Sequence, residues 1–282
     1  PSAAAEKFRA LSAQIGMKPR TQNCKHARPM PETVSITKDR PDGPDLSIVA
    51  PMHNEAGNAA RLAAEIAAVL EGRSFEIVFV NDASTDATLD ELIAAKADIP
   101  QLRVVTHRRN AGQSRAIRTG VLAARAPVVC TLDGDGQNPP EFIPALVDGL
   151  TRPDAPAALG MVAGRRVGRQ DSAPKRLASK LGNGIRKWML NDDADDTGCG
   201  LKAFRRDAYL LLPFFDHQHR FLPALIKREG FVLEFRDVGH RPRTAGRSKY
   251  TNLGRLFASL SDMLGMMWLN SRARQPGGWD ES

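Results

Sequence analysis

The chain has 282 residues, 42% hydrophobic and 26% charged, the balance of an ordinary globular protein with one substantial core. Its 40 Lys and Arg against 32 Asp and Glu leave a formal charge of +8. No apolar run reaches the roughly 18 residues a membrane-spanning helix needs, so none is expected. Cys24, Cys130 and Cys199 are an odd number without paired spacing, which argues against a disulfide framework or a zinc site and for a reducing, cytoplasmic compartment. The opening Pro1-Ser2-Ala3-Ala4-Ala5-Glu6-Lys7 lacks the charged-then-apolar order of a signal peptide.

Residues 1–44 read as a flexible arm: a short helix over Ala4 to Ile15, then a Pro- and charge-rich run through Arg40-Pro41-Asp42-Gly43-Pro44. From Leu46 strand-like and helix-like stretches alternate. Leu46 to Ala50 precedes Asn58 to Leu70, and Phe75 to Val80 precedes Asp86 to Ala97. Leu102 to Thr106 precedes Gln113 to Arg125, and Pro127 to Leu132 precedes Pro140 to Leu150. Four β-α units in a row predict an α/β fold, a mostly parallel sheet flanked by helices. The domain is expected to occupy residues 45–250, with a C-terminal amphipathic helix and tail over 251–282.

In open sheets of this kind ligands bind beyond the carboxyl ends of the strands. The polar residues cluster there: Pro51-Met52-His53-Asn54-Glu55, Asn81-Asp82-Ala83-Ser84-Thr85-Asp86, and Arg108-Arg109-Asn110-Ala111-Gly112 follow the first three strands. After the fourth comes Asp133-Gly134-Asp135-Gly136-Gln137-Asn138-Pro139-Pro140. Acids at i and i+2 at a strand end point the same way, and a hard divalent cation takes such carboxylates together with substrate phosphates. The plain alternative is an acidic turn, because Asp, Gly and Asn are ordinary turn formers. Asp86 could simply cap the helix it opens. Neither a Gly-x-Gly-x-x-Gly after the first strand nor a Gly-x-x-x-x-Gly-Lys-Ser/Thr is present, so dinucleotide and P-loop readings lack their fingerprints.

These loops in this order resemble the family 2 glycosyltransferases of the GT-A fold, in particular polyprenyl-phosphate sugar transferases of the dolichol-phosphate mannosyltransferase type. The resemblance rests on Pro51-x-x-Asn54-Glu55, Asn81-Asp82-Ala83-Ser84-Thr85-Asp86, Asn110-x-Gly112, and Asp133-x-Asp135-x-Gln137-x-Pro139-Pro140. Gly198-Cys199-Gly200-Leu201-Lys202, Phe221-Leu222-Pro223 and Ser248-Lys249-Tyr250 complete it. It implies a Rossmann-like GT-A fold and a metal-dependent inverting enzyme whose donor is a nucleotide-diphosphate sugar such as GDP-mannose or a UDP-sugar. Pro51, Asn54, Glu55, Asp82, Ser84 and Gly112 would line the donor pocket, and Asp133, Asp135 and Gln137 would hold Mg²⁺ or Mn²⁺. A cation there would neutralise charge growing on the departing diphosphate.

The implied acceptor is a polyprenyl phosphate. Transfer to a sugar hydroxyl needs a general base, yet Gln218-His219-Arg220-Phe221-Leu222-Pro223 carries no carboxylate, whereas a phosphate monoester is already anionic. Asp216 and His219 keep the hydroxyl alternative open, and a catalytically silent membrane-docking relative is a third reading. Cations abound: Arg165, Arg166, Arg169, Lys175, Arg176, Lys180, Arg186 and Lys187 face one acid, Asp171, in that stretch. By resemblance Arg166, Arg176 and Ser179 would meet the acceptor phosphate, with Arg243, Ser248 and Lys249 as a second cluster beside Arg247. Catalysis would then fall to Asp133, Asp135, Arg166, Arg176 and Arg243. A solvated basic face is the bland alternative, and nucleic acid is not expected, because Trp188 is nearly the only aromatic interleaved there.

Of Asp192, Asp193, Asp195 and Asp196, the resemblance gives a structural or sugar-contacting role to Asp196 or Asp195, and Cys199 reads as a packing residue. Leu181 to Leu190 adds an apolar face beside the cations. Leu253, Leu256, Phe257, Leu260, Leu264, Met267 and Trp268 recur at helical spacing, interrupted by Arg255 and Asp262. That stripe fits either a core-facing or dimer helix, with a homo-oligomer possible, or one lying on an anionic membrane surface. The chain stops at Arg272-Ala273-Arg274-Gln275-Pro276 where relatives continue into transmembrane helices, which leads to the expectation of peripheral attachment to the inner membrane face.

Overall fold

The computed structural model describes residues 43–167, 190, 196, 198–241 and 252–274, the side chains of the last stretch from Ser261 onward. The expected N-terminal helix and arm, the face from Leu181, and the site residues Arg176, Ser179, Arg243, Ser248 and Lys249 lie outside the described residues.

The four β-α units form as the alternation predicts: β1 (Leu46–Met52), α1 (Ala59–Val69), β2 (Phe75–Asn81), α2 (Thr88–Ala95), β3 (Leu102–Thr106), α3 (Gln113–Ala123), β4 (Val128–Thr131) and α4 (Ile143–Thr151). The second half adds β5 (Leu159–Arg166), β6 (Lys202–Arg205), α5 (Arg206–Leu210), α6 (Leu222–Arg228), β7 (Val232–Val238) and α7 (Asn252–Ser271). Sheet order is β3-β2-β1-β4-β6-β5-β7. The β1–β2, β1–β4, β2–β3 and β5–β7 pairs are parallel, while β6 runs antiparallel to both β4 and β5.

β2 is buried at every position and β1 at all but Pro51, as expected of central strands covered on both faces. Alternate side chains serve opposite layers. Ile48, Ala50, Ile77 and Phe79 pack with Leu62 and Ile66 of α1, Leu92 of α2, and Leu146 and Leu150 of α4. Val49 and Val78 face Ile117 and Val121 of α3, Tyr209 of α5, Leu225 of α6 and Met266 of α7. At about 25 cal/mol per Å² these two apolar layers supply the main folding force. They also hold the carboxyl ends of β1, β2 and β4 level, with Met52 opposite Asn81 and Thr131 opposite Lys202.

Glu76 breaks the apolar texture of β2 and is nonetheless 5% exposed. Its carboxylate accepts from Ser47 Oγ, the Arg125 backbone N–H and Arg103 Nη1, each at 2.6 Å. It is thereby a satisfied buried charge at the end of the sheet away from the loops.

Candidate active site

The loops beyond β1, β2, β3 and β4 are sewn together in order. Asn54 N–H donates to Ser84 Oγ at 3.1 Å, Thr85 N–H returns to Asn54 Oδ1 at 2.8 Å, and Glu55 N–H reaches Thr88 Oγ1 at 2.8 Å. Asp86 accepts from the N–H of Thr88, the first residue of α2, at 3.1 Å and from the Ala56 N–H at 3.2 Å, while the N-cap position of that helix is Ala87. Asn54 and Ala83 sit at φ 56° and 54° in the left-handed region, conformations that ordinary residues hold only where surrounding bonds enforce them.

Asp82 joins the second loop to the third. It is 2% exposed, and its carboxylate accepts the N–H groups of Ala111 and Gly112 at 2.8 Å each and faces His107 Nδ1 at 2.7 Å. Both carboxylate oxygens are thus engaged inside the protein by backbone N–H groups.

Asp133 and Asp135 stand on the crest of β4. Gln113 Nε2 donates to Asp133 Oδ1 at 2.8 Å and Asn138 Nδ2 to Oδ2 at 3.0 Å. Asp135, 9% exposed, accepts the Gln137 N–H at 3.1 Å. The insertion of β6 brings Gly200 against the pair: a Cβ there would stand 2.3 Å from Asp133 Oδ2. Thr131 Oγ1 fixes that approach by donating to the Gly200 carbonyl at 3.0 Å.

Burial, and then the charge of Asp135, push the Asp133 carboxyl above the usual range, against the pull of Lys202, the Asn138 amide and Arg166. Two neighbouring acids presented with oxygen donors only suit a hard divalent ion. Among the described residues no group of three or more His, Cys, Asp or Glu gathers as a metal cluster, so such an ion would draw further ligands from diphosphate and water. Gln137, expected as a third ligand, is tied here through its main chain: its N–H serves Asp135, and its carbonyl accepts the Arg241 N–H at 3.0 Å. The amide that holds Asp133 from this loop is that of Asn138.

On the other flank Arg166 is engaged by Asp196. Nε and Nη2 each donate at 2.7 Å to its two oxygens, and the Arg166 backbone N–H adds a third bond at 3.0 Å. That two-donor edge is the one with which arginine grips phosphate, so Asp196 stands where the acceptor was expected. Asp216 lies at the mouth, its Oδ1 3.8 Å from where a Gly112 Cβ would be. His219 is different in kind. Burial, then the neighbouring cations, push it down to about 3, and its Nδ1 lies 2.7 Å from Ser114 Oγ.

Three contributors escaped the sequence reading as site residues. Lys202 is 4% exposed, donates to the Cys199 carbonyl, and is pushed below the usual ammonium value by burial although Cys199, Asp133 and Asp196 pull it up. Its signal was a lysine inside the Gly198–Lys202 motif. Gln113 and Asn138 each adjoin a residue already singled out, and nothing in their spacing distinguishes an acid-holding amide from a turn former. Cys199 is fully buried with its thiol raised by burial, as a packing residue should be.

A mostly parallel sheet with one antiparallel strand set beside a paired-acid crest defines the GT-A class of fold. Glucosyl-3-phosphoglycerate synthase from Mycobacterium tuberculosis, solved with Mn²⁺, uridine diphosphate and glucosyl-3-phosphoglycerate, superposes with a TM-score of 0.63 at 18% identity, covering 83% of this chain and 82% of that one. A mannosyltransferase from Pyrobaculum calidifontis in complex with GDP-Man and Mn²⁺ gives a TM-score of 0.58 at 18% identity, over 83% and 65%. At these identities the likeness is one of fold. The family model for Glycosyl transferase family 2 matches residues 47–211, and the chain belongs to that family. Its relatives include the dodecaprenyl-phosphate galacturonate synthase of Rhizobium johnstonii, 31% identical over 257 residues, 87% of this chain and 73% of the relative. An undecaprenyl-phosphate 4-deoxy-4-formamido-L-arabinose transferase of Pseudomonas aeruginosa is 37% identical over 228 residues, 79% of this chain. The chain spans 65% of that relative's length.

Proposed function

We propose that this chain moves a sugar from a nucleotide-diphosphate donor to a polyprenyl phosphate, with inversion at the anomeric carbon. The observation that carries this is the Asp133–Asp135 pair at the end of β4, with Asp133 held by the Gln113 and Asn138 amides and Asp135 by the Gln137 N–H. The polyprenyl-phosphate relatives support the acceptor class.

Pro51, Asn54, Glu55, Asp82, Ser84 and Gly112 form the donor side, where exposed edges of the sewn loops meet the nucleotide. Asp133, Asp135 and Gln137 would hold Mg²⁺ or Mn²⁺, which would neutralise charge on the leaving diphosphate. The acceptor phosphate is steered by Arg166, Arg176, Arg243 and Lys249, with Ser179 and Ser248 as donors; Arg166 serves by sharing its guanidinium between Asp196 and phosphate. The acceptor arrives ionised, so no side chain needs to remove a proton. His219 is consistent with this, being buried, neutral near pH 7 and committed to Ser114. Exposed Leu264 and Trp268 on α7, with the Arg272 guanidinium 5.9 Å from the Trp268 ring, support peripheral contact with an anionic inner membrane face in the cytoplasm. No helix among the described residues is long and apolar enough to cross a membrane.

The test supplies radiolabelled UDP- and GDP-sugars with Mn²⁺ to undecaprenyl phosphate and, in parallel, to soluble sugars. Label in the lipid phase, abolished by Asp135→Ala and nearly unchanged in Asp216→Asn, is the expected result. Transfer only to sugars, with Asp216→Asn losing the roughly 10²–10⁴-fold that a general base contributes, would replace this reading by the hydroxyl-acceptor one.

A further inference from the structure

Behind the acid crest, on the side facing α1, lie Arg61, Glu65 and Arg241, polar groups that the reading above does not use. Arg241 follows β7, and its backbone N–H donates to the Gln137 carbonyl at 3.0 Å. Gln137 in turn gives its own N–H to Asp135 Oδ1 at 3.1 Å. One residue therefore links Arg241 to a carboxylate of the crest.

The Arg241 side chain is fixed from two directions. Nη1 donates to Glu65 Oε2 on α1 at 2.7 Å, and Nη2 to Glu141 Oε2 at 3.2 Å. The other oxygen of Glu65 faces Arg61 Nη1, one helical turn earlier, at 3.8 Å. Arg61 Nη2 lies 3.1 Å from where a Gly136 Cβ would be and donates to Asn58 Oδ1 at 3.1 Å. Asn58, 2% exposed, donates onward to Glu55 Oε2 at 3.2 Å. Gly136 adopts φ +71°, so the turn between Asp135 and Gln137 packs its bare backbone against Arg61. Glu65 thus bridges two guanidinium groups, one beneath Gly136 and one at Gln137.

Stability does not account for this arrangement. The side chains of Arg61, Glu65 and Arg241 are 46%, 31% and 40% exposed. Ion pairs as wet as these contribute about 0–1 kcal/mol each. What they fix is the geometry of the Asp135–Gln137 turn.

We propose that Arg241 is a positioning residue for Asp135, acting through Gln137, and that Glu65 locks it by bridging Arg241 to Arg61 beneath Gly136. The inference rests on the metal-dependent reading given above. Outer partners of metal-ligating groups typically carry about 10–100-fold in metal affinity, which sets the size of effect expected.

The experiment titrates Mn²⁺ in the presence of UDP by EPR on the purified full chain, with thermal unfolding recorded for each variant. Arg241→Ala and Glu65→Gln should bind Mn²⁺ about tenfold more weakly with little change in melting temperature. Arg241→Lys, which keeps a cation between Glu65 and Glu141, should bind Mn²⁺ more tightly than Arg241→Ala. Arg73→Ala is the control: its pair with Asp148, at 2.7 Å and 2.9 Å beyond the end of α1, is of the same kind but does not touch the crest. Arg241→Ala binding Mn²⁺ as tightly as the unmodified chain, or Arg73→Ala weakening it equally, would overturn the role given to Arg241 alone. An unmodified chain that takes no Mn²⁺ would overturn the metal reading beneath it as well.

Discussion

Asp133 keeps its position because nothing occupies the volume opposite it. A Cβ on Gly200 would come 2.3 Å from one carboxylate oxygen and 2.7 Å from the other, so Gly200→Ala must move either β6 or the acid. The Thr131 bond to the Gly200 carbonyl resists the first, and the acid is therefore the part that yields. The expected result is loss of transfer with a stability cost of about 1–3 kcal/mol, the usual penalty for overpacking. Full activity in Gly200→Ala would mean that Asp133 does not need its present place. His219 makes a separate prediction. Its folded value near 3 lies below the unfolded value of about 6.5, so the unfolded chain takes up the proton first and stability falls with pH through that window. At pH 5 the difference amounts to about 2 kcal/mol, which His219→Gln removes. Urea midpoints for both chains at pH 7 and pH 5 read it directly, and parallel slopes would show that His219 titrates normally.

Among the elements, what was legible tracks how local the signal is. β1 to β4 were readable because buried parallel strands print as apolar runs between turn residues, and the helices between them carry apolar faces at helical spacing. β6 was not. Lys202-Ala203-Phe204-Arg205 is four residues with a buried lysine at its head, and nothing local tells a strand to run against its neighbours. The crest was legible as an Asp-x-Asp at a strand end, while its supports were hidden, because Gln113, Gly200 and Arg241 reach it only through tertiary contacts and Asn138, five residues on, reads as any turn former. The C-terminal stripe was seen but turned: Met266 is buried against the body while Leu264 and Trp268 face outward. Asp262 anchors the same helix by facing His217 Nδ1 at 2.8 Å, and His217 holds a left-handed φ of 62° beside Asp216. Asp262→Ala is expected to speed hydrogen exchange in both residues 261–271 and the 214–220 turn. Faster exchange in the helix alone would break the proposed tie between them.

At the scale of the whole molecule, charge and apolar surface point the same way. An excess of +8 together with exposed Leu264 and Trp268 predicts binding to vesicles containing phosphatidylserine and little to neutral ones. The attraction should fade towards 1 M salt, where the Debye length shrinks to about 3 Å, and Trp268→Ala should weaken what remains. Equal sedimentation with both vesicle types would count against an electrostatic component.

The antiparallel insert also shapes how the protein is made. Thr131 and Lys202, which end up side by side, are separated by 71 positions along the chain. On a ribosome adding roughly 5–20 residues per second, β4 therefore waits about 4–14 s for its neighbour. Throughout that interval Val128–Thr131 can pair with β1 on one side only, and its other edge is an unpaired row of backbone donors and acceptors, the template on which chains aggregate. Chaperone dependence during synthesis should accordingly centre on this interval, and a chain truncated after Thr151 should precipitate where the full one stays in solution.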